Sequence, residues 1–358
     1  YYFFLSLYIM KLKKNECICI FAVILFIVSV GLLTYRFKNS GEIVGPIKEG
    51  FTTNDIITHN SGIYDKLYSS IYDKIFTDIK KSSLEITVII EHTIKNIDNP
   101  FPKEDIKFLD AGCGTGITAS IIGKIYPVTC LDKSNDMLQV AKTRQSQGMK
   151  LLEGDLKDRS TFEANSFTHI LCLYFTMYYF KNIDHIFENF SKWVKPNGFV
   201  VIHVVDKKAF DPVSNPSSPF ILTDPQSYLD KRKTDSVIVF NNFKYKSNFK
   251  LLGKDTALFD ETFEYKDERP DRKHRHTFYM YDKAKYVSTA ERYGFVLQKI
   301  EPQVLSGYSH HYLFIFRKIK KERLVSSLNN IPKVSSKTTK ATKASVSSRS
   351  KSAMSSFG

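Results

Sequence analysis

The chain has 358 residues, 42% hydrophobic and 25% charged, enough for one large domain or two ordinary ones with length to spare for an anchor or a tail. This composition excludes a wholly disordered protein, a collagen and a disulfide-stapled miniature. The formal net charge of +15 belongs to the ends: residues 1–50 carry +3, residues 317–358 carry +10, and residues 51–316 only +2. A nucleic-acid enzyme more often carries its basic stripe on the folded body, so the near-neutral middle argues against one.

The first predicted element is the apolar run Cys17–Tyr35, nineteen residues without a charge, flanked by Lys11, Lys13 and Lys14 before and Arg36 and Lys38 after. Roughly 20 apolar residues span a bilayer as a helix. After an N-terminal flank (1–16), residues 17–35 are therefore read as an uncleaved single-pass transmembrane anchor. A cleaved signal peptide is the rival reading, but no small-x-small site follows cleanly. Residues 36–58 are polar and contain glycine, which predicts a linker.

Residues 63–76 (IYDKLYSSIYDKIF) set Ile63, Leu67, Ile71 and Ile75 on one helical stripe, with Tyr64, Tyr68 and Tyr72 beside it. A second helix is predicted over Ser83–Ile97, ending before Asn99-Pro100 and Pro102. Strands and helices then alternate. Ile106–Asp110, Pro127–Leu131, a segment starting at Leu151, Phe167–Leu173 and Phe199–Val205 read as strands, and Ile117–Ile125, Met137–Gln147 and Ile183–Val194 as helices. Alternation with short connections predicts a parallel, doubly wound α/β sheet.

The pattern then breaks. Val237–Phe243, Phe249–Leu252, Thr256–Tyr265 and His274–Tyr281 read as consecutive strands of an antiparallel insertion, about 207–282. A helix, Lys283–Tyr293, and two strands, Phe295–Ile300 and Tyr312–Arg317, close the domain. Residues 266–276 (KDERPDRKHRH) are mixed in sign and read as a solvated turn, or as a substrate-facing lid with affinity for an anionic group. From about Glu322 the composition turns to Ser, Thr, Lys and Ala. Residues 322–358 are therefore expected to be a disordered basic tail, able to touch anionic lipid or nucleic acid or simply solubilising.

Of the five cysteines, Cys17 and Cys19 fall in the apolar run and Cys113, Cys130 and Cys172 in core-like segments. Their spacing suits neither a zinc site nor a disulfide framework, so unpaired thiols, a reducing compartment and no metal are expected.

Phe108–Gly116 (FLDAGCGTG) runs a strand into Gly112-Cys113-Gly114-Thr115-Gly116 and then a helix. Such glycines let backbone approach a ligand closely. A dinucleotide fingerprint requires G-x-G-x-x-G; here Ile117 occupies the last position, and the third glycine comes one residue early. Asp110, just ahead of the loop, would repel a pyrophosphate and suits a ligand carrying an ammonium and a sulfonium. Asp132 ends the second strand, where a carboxylate can accept from two ribose hydroxyls. Asp155 follows the third strand, placed to accept from an adenine amine.

With these motifs, LDAGCGTG (109–116), LDKSNDML (131–138), EGDL (153–156), ILCLYFTMYYF (170–180) and VKPNGFVVIH (194–203), the chain resembles the class I S-adenosylmethionine-dependent methyltransferases of the small-molecule type. The resemblance covers about Tyr64 to Arg317 and implies a Rossmann-like doubly wound seven-stranded sheet within a domain over 59–321. It implies S-adenosylmethionine as cofactor. Gly112, Gly114 and Gly116 would line its methionine and ribose part, Asp110 would support the loop, and Asp132 would bind the ribose. Met137 would pack on the adenine, Asp155 would meet the adenine amine, Leu173 to Phe175 would form a floor, and Tyr64 would cover the cofactor. Cys113, Lys133, Gly154 and Leu156, within the same motifs, complete the expected cofactor-binding set.

The tetrapeptide with which amino methyltransferases of nucleic acid hold their base is absent; Tyr174–Tyr179 stands in its place. A general base is needed only if the acceptor starts protonated. Tyr178 is the first candidate, followed by Tyr179, His203, His276, His310 and His311. The expected function is a membrane-anchored methyltransferase acting on a small molecule, with the body on the cytosolic side where the cofactor is made. A non-catalytic scaffold of the same fold, working through anchor and tail, and a dinucleotide-dependent oxidoreductase are the alternatives.

Overall fold

The computed structural model describes residues 57–76, 79–95, 101–210, 234–303 and 310–319. A short strand β1 (Ile57–His59) is followed by helices α1 (Lys66–Phe76) and α2 (Ile79–Ile90). The α/β core comprises β2 (Phe108–Ala111), α3 (Ile117–Ile122), β3 (Val128–Asp132), α4 (Asn135–Lys142), β4 (Met149–Glu153), β5 (Phe167–Cys172), α5 (Ile183–Trp193) and β6 (Val194–Val205). An insertion adds β7 (Asp235–Val239), β8 (Phe243–Leu252), β9 (Thr256–Tyr265) and β10 (Arg272–Tyr279). Helix α6 (Lys283–Arg292) and strands β11 (Phe295–Pro302) and β12 (His311–Lys318) close the body.

The seven-stranded sheet has the order β11-β12-β6-β5-β2-β3-β4. The five strands from β6 to β4 are parallel, and β12 and β11 add antiparallel at the far edge. Its middle strands are buried along their length, as in Phe167–Cys172, which is why they read as continuous apolar runs. The chain leaves β2 toward β3 on one side and returns to β5 on the other. Crevices outside the carboxyl ends of strands at such a reversal are where α/β sheets bind ligands. The second sheet, β1-β10-β9-β8-β7, alternates buried with half-buried residues, as a sheet covered on one face does. Helix α5 shows how locally the sequence decides. Asn182 accepts at the N-cap from the His185 N–H, and Ile183, Ile186, Phe187 and Phe190 turn one buried stripe onto the sheet.

Four expectations change. Ile57–His59, its first two residues predicted as the end of the linker, pairs parallel with β10. Strand β8 starts at Phe243 rather than Phe249, because Lys244 and Lys246 face partly outward while Tyr245 and Ser247 face in. Residues 266–276 are not one turn: the exposed turn ends at Asp271, and Arg272 onward belongs to β10, with His274 and His276 buried. Cys113 and Cys130, expected as unpaired thiols, form a disulfide with a Cα–Cα distance of 5.5 Å. The cause is the register: Asp110 pairs with Cys130, so the loop leaving β2 turns back over β3. Cys172 is the one free cysteine among the described residues, so pairing weakens the argument for a reducing compartment. The predicted anchor (17–35) and basic tail (322–358) lie outside the described residues. Among those described, no helix is long and apolar enough to cross a membrane.

Candidate active site

A cavity of about 600 Å³ opens at the carboxyl ends of β2, β3, β4 and β5 and continues to the inward face of the five-stranded sheet. Its first half is built by the glycine loop. Gly112 and Gly114 both have positive φ, 77° and 54°, but for different reasons. A Cβ on Gly112 would stand 2.5 Å from Thr176 Cγ2, so the loop packs against the turn after β5. A Cβ on Gly114 would meet nothing within 4 Å, because that position faces the open cavity.

Asp132 braces the loop. Its Oδ2 accepts from the Gly114 N–H at 2.8 Å and its Oδ1 from the Ser134 N–H at 2.9 Å. Burial pushes its ionisation up while these N–H groups pull it down, with a net rise. Asp110 is buried, and its Oδ2 has no hydrogen-bond partner. Burial first, and then Asp132, raise its pKa from 3.8 to about 7. Asp155, after β4, is half-buried and paired with Lys133 at 3.0 Å. Burial works against its charge, but the Lys157 N–H and Lys133 hold it below the usual carboxylate range.

Helix α1 closes over this half. Asp73 accepts from Thr115 Oγ1 at 2.6 Å and pairs with Arg144, which also donates to the Thr115 carbonyl. The segment entering α1 is held by Ser134 Oγ, which donates to the Tyr64 carbonyl at 2.6 Å while capping α4 through the Met137 N–H.

The second half is aromatic: Tyr64, Tyr72, Phe76, Phe180, Phe259 and Phe278 line it. At its floor the Tyr64 and Tyr179 hydroxyls stand 2.6 Å apart, and Tyr179 Oη lies 2.5 Å from His276 Nδ1. His276 Nε2 lies 2.7 Å from Glu261 Oε2. Glu261 is fully buried and also receives Tyr68 Oη, Tyr245 Oη (2.8 Å) and His274 Nδ1 (3.3 Å). Burial would raise its pKa, but His276 and His274 beside it hold it below the usual carboxylate range, so it is a carboxylate that only accepts. A carboxylate only accepts, so His276 Nε2 carries a proton; in the singly protonated ring Nδ1 then accepts from the Tyr179 hydroxyl.

All thirteen residues expected to bind cofactor except Gly116 line the cavity. Gly116 lies beneath the loop, where a Cβ would stand 2.7 Å from Ala141 Cβ. Tyr178, the first candidate base, does not line the cavity. It is buried, and its hydroxyl accepts from the Val205 N–H at 2.7 Å, so it holds β6 in place. Its neighbour Tyr179 is the one that faces in. His203 and His311 are stacked on each other and buried away from the cavity; burial lowers His203 to about 3. His310 has a left-handed φ of 64° at the start of β12. The sequence reading passed over Glu261, Asp73 and Arg144. For Glu261 a signal existed: Ala257, Phe259, Glu261 and Phe263 share the buried face of β9, and an acid on an apolar face requires partners.

Residues 109–202 match the family described as a methyltransferase domain. The uncharacterized methyltransferase YodH of Bacillus subtilis (strain 168) is 34% identical over 116 residues, 31% of this chain and 48% of that protein. The chain thus spans about half the length of the curated relatives it matches. Among solved structures, an S-adenosylmethionine-dependent methyltransferase from Clostridium acetobutylicum superposes with a TM-score of 0.52 at 16% identity, covering 71% of this chain and 98% of that one. The sugar N-methyltransferase KedS8 from Streptoalloteichus superposes with a TM-score of 0.52 at 14% identity, covering 77% of this chain and all of that one. The resemblance to class I S-adenosylmethionine-dependent methyltransferases drawn from the glycine loop and the three acids is borne out by the matched domain and the shared fold.

Proposed function

We propose that this chain is an S-adenosylmethionine-dependent methyltransferase that methylates a small molecule. The observation that carries the reading is one continuous cavity with two unlike halves, a glycine loop with three acids and an aromatic pocket. The residues present fit the cofactor. The unpartnered Asp110 oxygen and the open space at Gly114 suit an ammonium and a main-chain-like moiety. Asp132 keeps lone pairs for ribose hydroxyls, and Met137 and Leu156 offer apolar walls for a base beside Asp155. When bound, the cofactor supplies an electrophilic methyl group on a sulfonium.

The chain's part is to hold and to exclude. The glycine loop fixes one reactant, the aromatic half receives the other, and α1 with Tyr64 screens both from water, so positioning supplies much of the rate. The acceptor is read as a small molecule because the pocket is a concave recess lined by aromatic side chains. Both the KedS8 likeness and the near-neutral body agree with that reading. The apolar run 17–35 between charged flanks supports a membrane-bound form, and it is the need for a cofactor made in the cytosol, against the Lys-rich N-terminal flank, that argues for the body on that side; retention in the pellet after alkaline extraction would test the membrane-bound form.

Calorimetry of the full chain with S-adenosylhomocysteine and with NAD, repeated on Asp132→Ala, tests the cofactor site. Micromolar binding of the first alone, weakened at least tenfold in the variant, is expected. A folded protein that binds neither would return the scaffold reading, and one that binds NAD the oxidoreductase reading.

A further inference from the structure

Resting on that reading, we propose that the aromatic half of the cavity takes an amine, and that Tyr179, backed by His276 and Glu261, receives the proton the amine must shed before it is methylated. Three observations carry this. First, the polar groups at the floor are wired in one direction. With His276 singly protonated, its Nε2 N–H donates to Glu261 and its Nδ1 accepts from Tyr179. Tyr64 is then left to donate to Tyr179 Oη. A proton delivered to Tyr179 Oη can pass as Tyr179 hands its own to His276, leaving an imidazolium against a carboxylate.

Second, charge selects the ligand. Glu261 is a buried carboxylate behind the pocket wall, and its neighbour His274 is pushed toward the neutral form by burial and by Arg272. Arg272 itself is paired with Asp65 at 2.8 Å. Among the described residues that line the cavity, the cations are Lys133 and Lys157, both beside Asp155 at the β3–β4 side, across β2 from the turn that carries Tyr179. Aromatic faces with a carboxylate behind them attract an ammonium, whereas a carboxylate acceptor would find no Lys or Arg among the described residues that line this half.

Third, basicity matches. An imidazole is a fitting sink for a proton from an ammonium and a poor one for a proton from an aliphatic alcohol. In the step itself, one N–H bond of the ammonium breaks, its proton goes to Tyr179 Oη, and the Tyr179 proton goes to His276 Nδ1. The freed nitrogen lone pair forms the N–CH₃ bond as the S–CH₃ bond breaks, and that electron pair stays on sulfur. The sulfonium becomes a neutral thioether, the product leaves as a methylammonium, and His276 returns one proton to solvent. Tyr179 would thus be catalytic, and Glu261 a positioning residue acting through His276.

The test uses the full chain saturated with S-adenosylhomocysteine and titrated with cyclohexylamine, cyclohexanol and cyclohexanecarboxylate. The amine is expected to bind at least tenfold more tightly than either isostere, and Glu261→Gln to reduce that preference below about threefold while leaving S-adenosylhomocysteine affinity unchanged. Tyr179→Phe should keep amine binding within about threefold yet lower methyl transfer to cyclohexylamine about 100-fold near neutral pH. That deficit should shrink above the amine's own pKa, where it arrives already deprotonated. The groups facing His276 that could distort the profile are Tyr179, Glu261, Tyr64, Tyr68 and His274. Equal or tighter binding of the alcohol or carboxylate, no binding of any of the three, or a Tyr179→Phe protein as active as the unmodified one would overturn the inference. Failure of S-adenosylhomocysteine to bind would overturn the methyltransferase reading itself, and is seen before any amine is added.

Discussion

Asp110 keeps a proton that an ordinary aspartate gives up. Its folded pKa of about 7 stands above the ordinary 3.8, so the unliganded fold binds more protons than the unfolded chain between those values. Stability from this group is therefore complete at acid pH and is lost as pH rises through about 7. A cationic ligand beside the orphaned Oδ2 favours the carboxylate, so binding should release a proton. The rise in Tm caused by S-adenosylhomocysteine is expected to be larger near pH 8 than near pH 5, a trend differential scanning fluorimetry would reveal. Asp110→Asn should flatten that trend and weaken binding about 10- to 100-fold, the scale of a lost charge-assisted hydrogen bond; an unchanged trend would show that another group titrates. The glycines separate folding from binding in the same way. Gly112→Ala drives a methyl into Thr176 and should lower Tm sharply, whereas Gly114→Ala strains only its own φ and intrudes on the cavity. The second is expected to lose ligand affinity at a cost in stability of about 1 kcal/mol. Equal losses of stability in the two would contradict the geometry.

Among the elements, those set by local pattern were legible and those set by partners were not. The glycine loop, the acid ending β3 and the amphipathic stripe of α5 announce themselves within a dozen residues, and each lies where its pattern indicates. Strand β1 does not: three residues, Ile57–His59, become a strand only because β10, more than two hundred positions away, offers an edge. The relay was hidden for the same reason, since Tyr179, Glu261 and His276 come from a turn and two strands. The disulfide is the clearest case. No spacing rule connects Cys113 to Cys130; adjacent parallel strands bring them together across a sequence separation of 17. Because it ties the glycine loop to β3, the bond has two expected effects. Reduction, or Cys130→Ser, should lower unfolding free energy by about 3 kcal/mol, the loop-entropy scale for a closure of this length. It should also weaken S-adenosylhomocysteine binding, since the loop then loses its covalent tie to β3 and is held there by hydrogen bonds, from the Gly112 and Cys113 N–H groups to the Leu131 carbonyl and from the Gly114 N–H to Asp132. Denaturant unfolding with and without reductant measures the first effect, and calorimetry the second.

On the scale of the whole molecule, the insertion could have been an independent domain appended to a finished α/β core. The packing argues otherwise. Ile170, Val200 and Ile202 of the larger sheet belong to the same buried cluster as Tyr245, Phe249, Phe259 and Phe263 of the smaller one. Ring contacts bridge them: Phe175 stacks on Phe278 at 5.6 Å, and Phe210 meets Phe249 edge-on at 5.1 Å. Lys207, just past β6, donates to the carbonyls of Lys254 and Met280 and pairs with Asp282. Neither sheet can close the cavity alone, because the glycine loop comes from one and His276 from the other. Shared burial of this kind makes the two sheets unfold together, and it couples the aromatic half of the cavity to the glycine-loop half. Calorimetry of the full chain should therefore give one transition for the body, with calorimetric and van't Hoff enthalpies in agreement. Phe249→Ala, in the insertion and absent from the cavity lining, should lower that single transition by the about 3–5 kcal/mol of a buried phenylalanine. Saturating S-adenosylhomocysteine should move the same transition up, because a ligand that binds only the native state stabilises everything that folds with its site. Two resolved transitions, with the ligand shifting one and Phe249→Ala the other, would make the insertion a separate domain and leave the relay without a rigid frame.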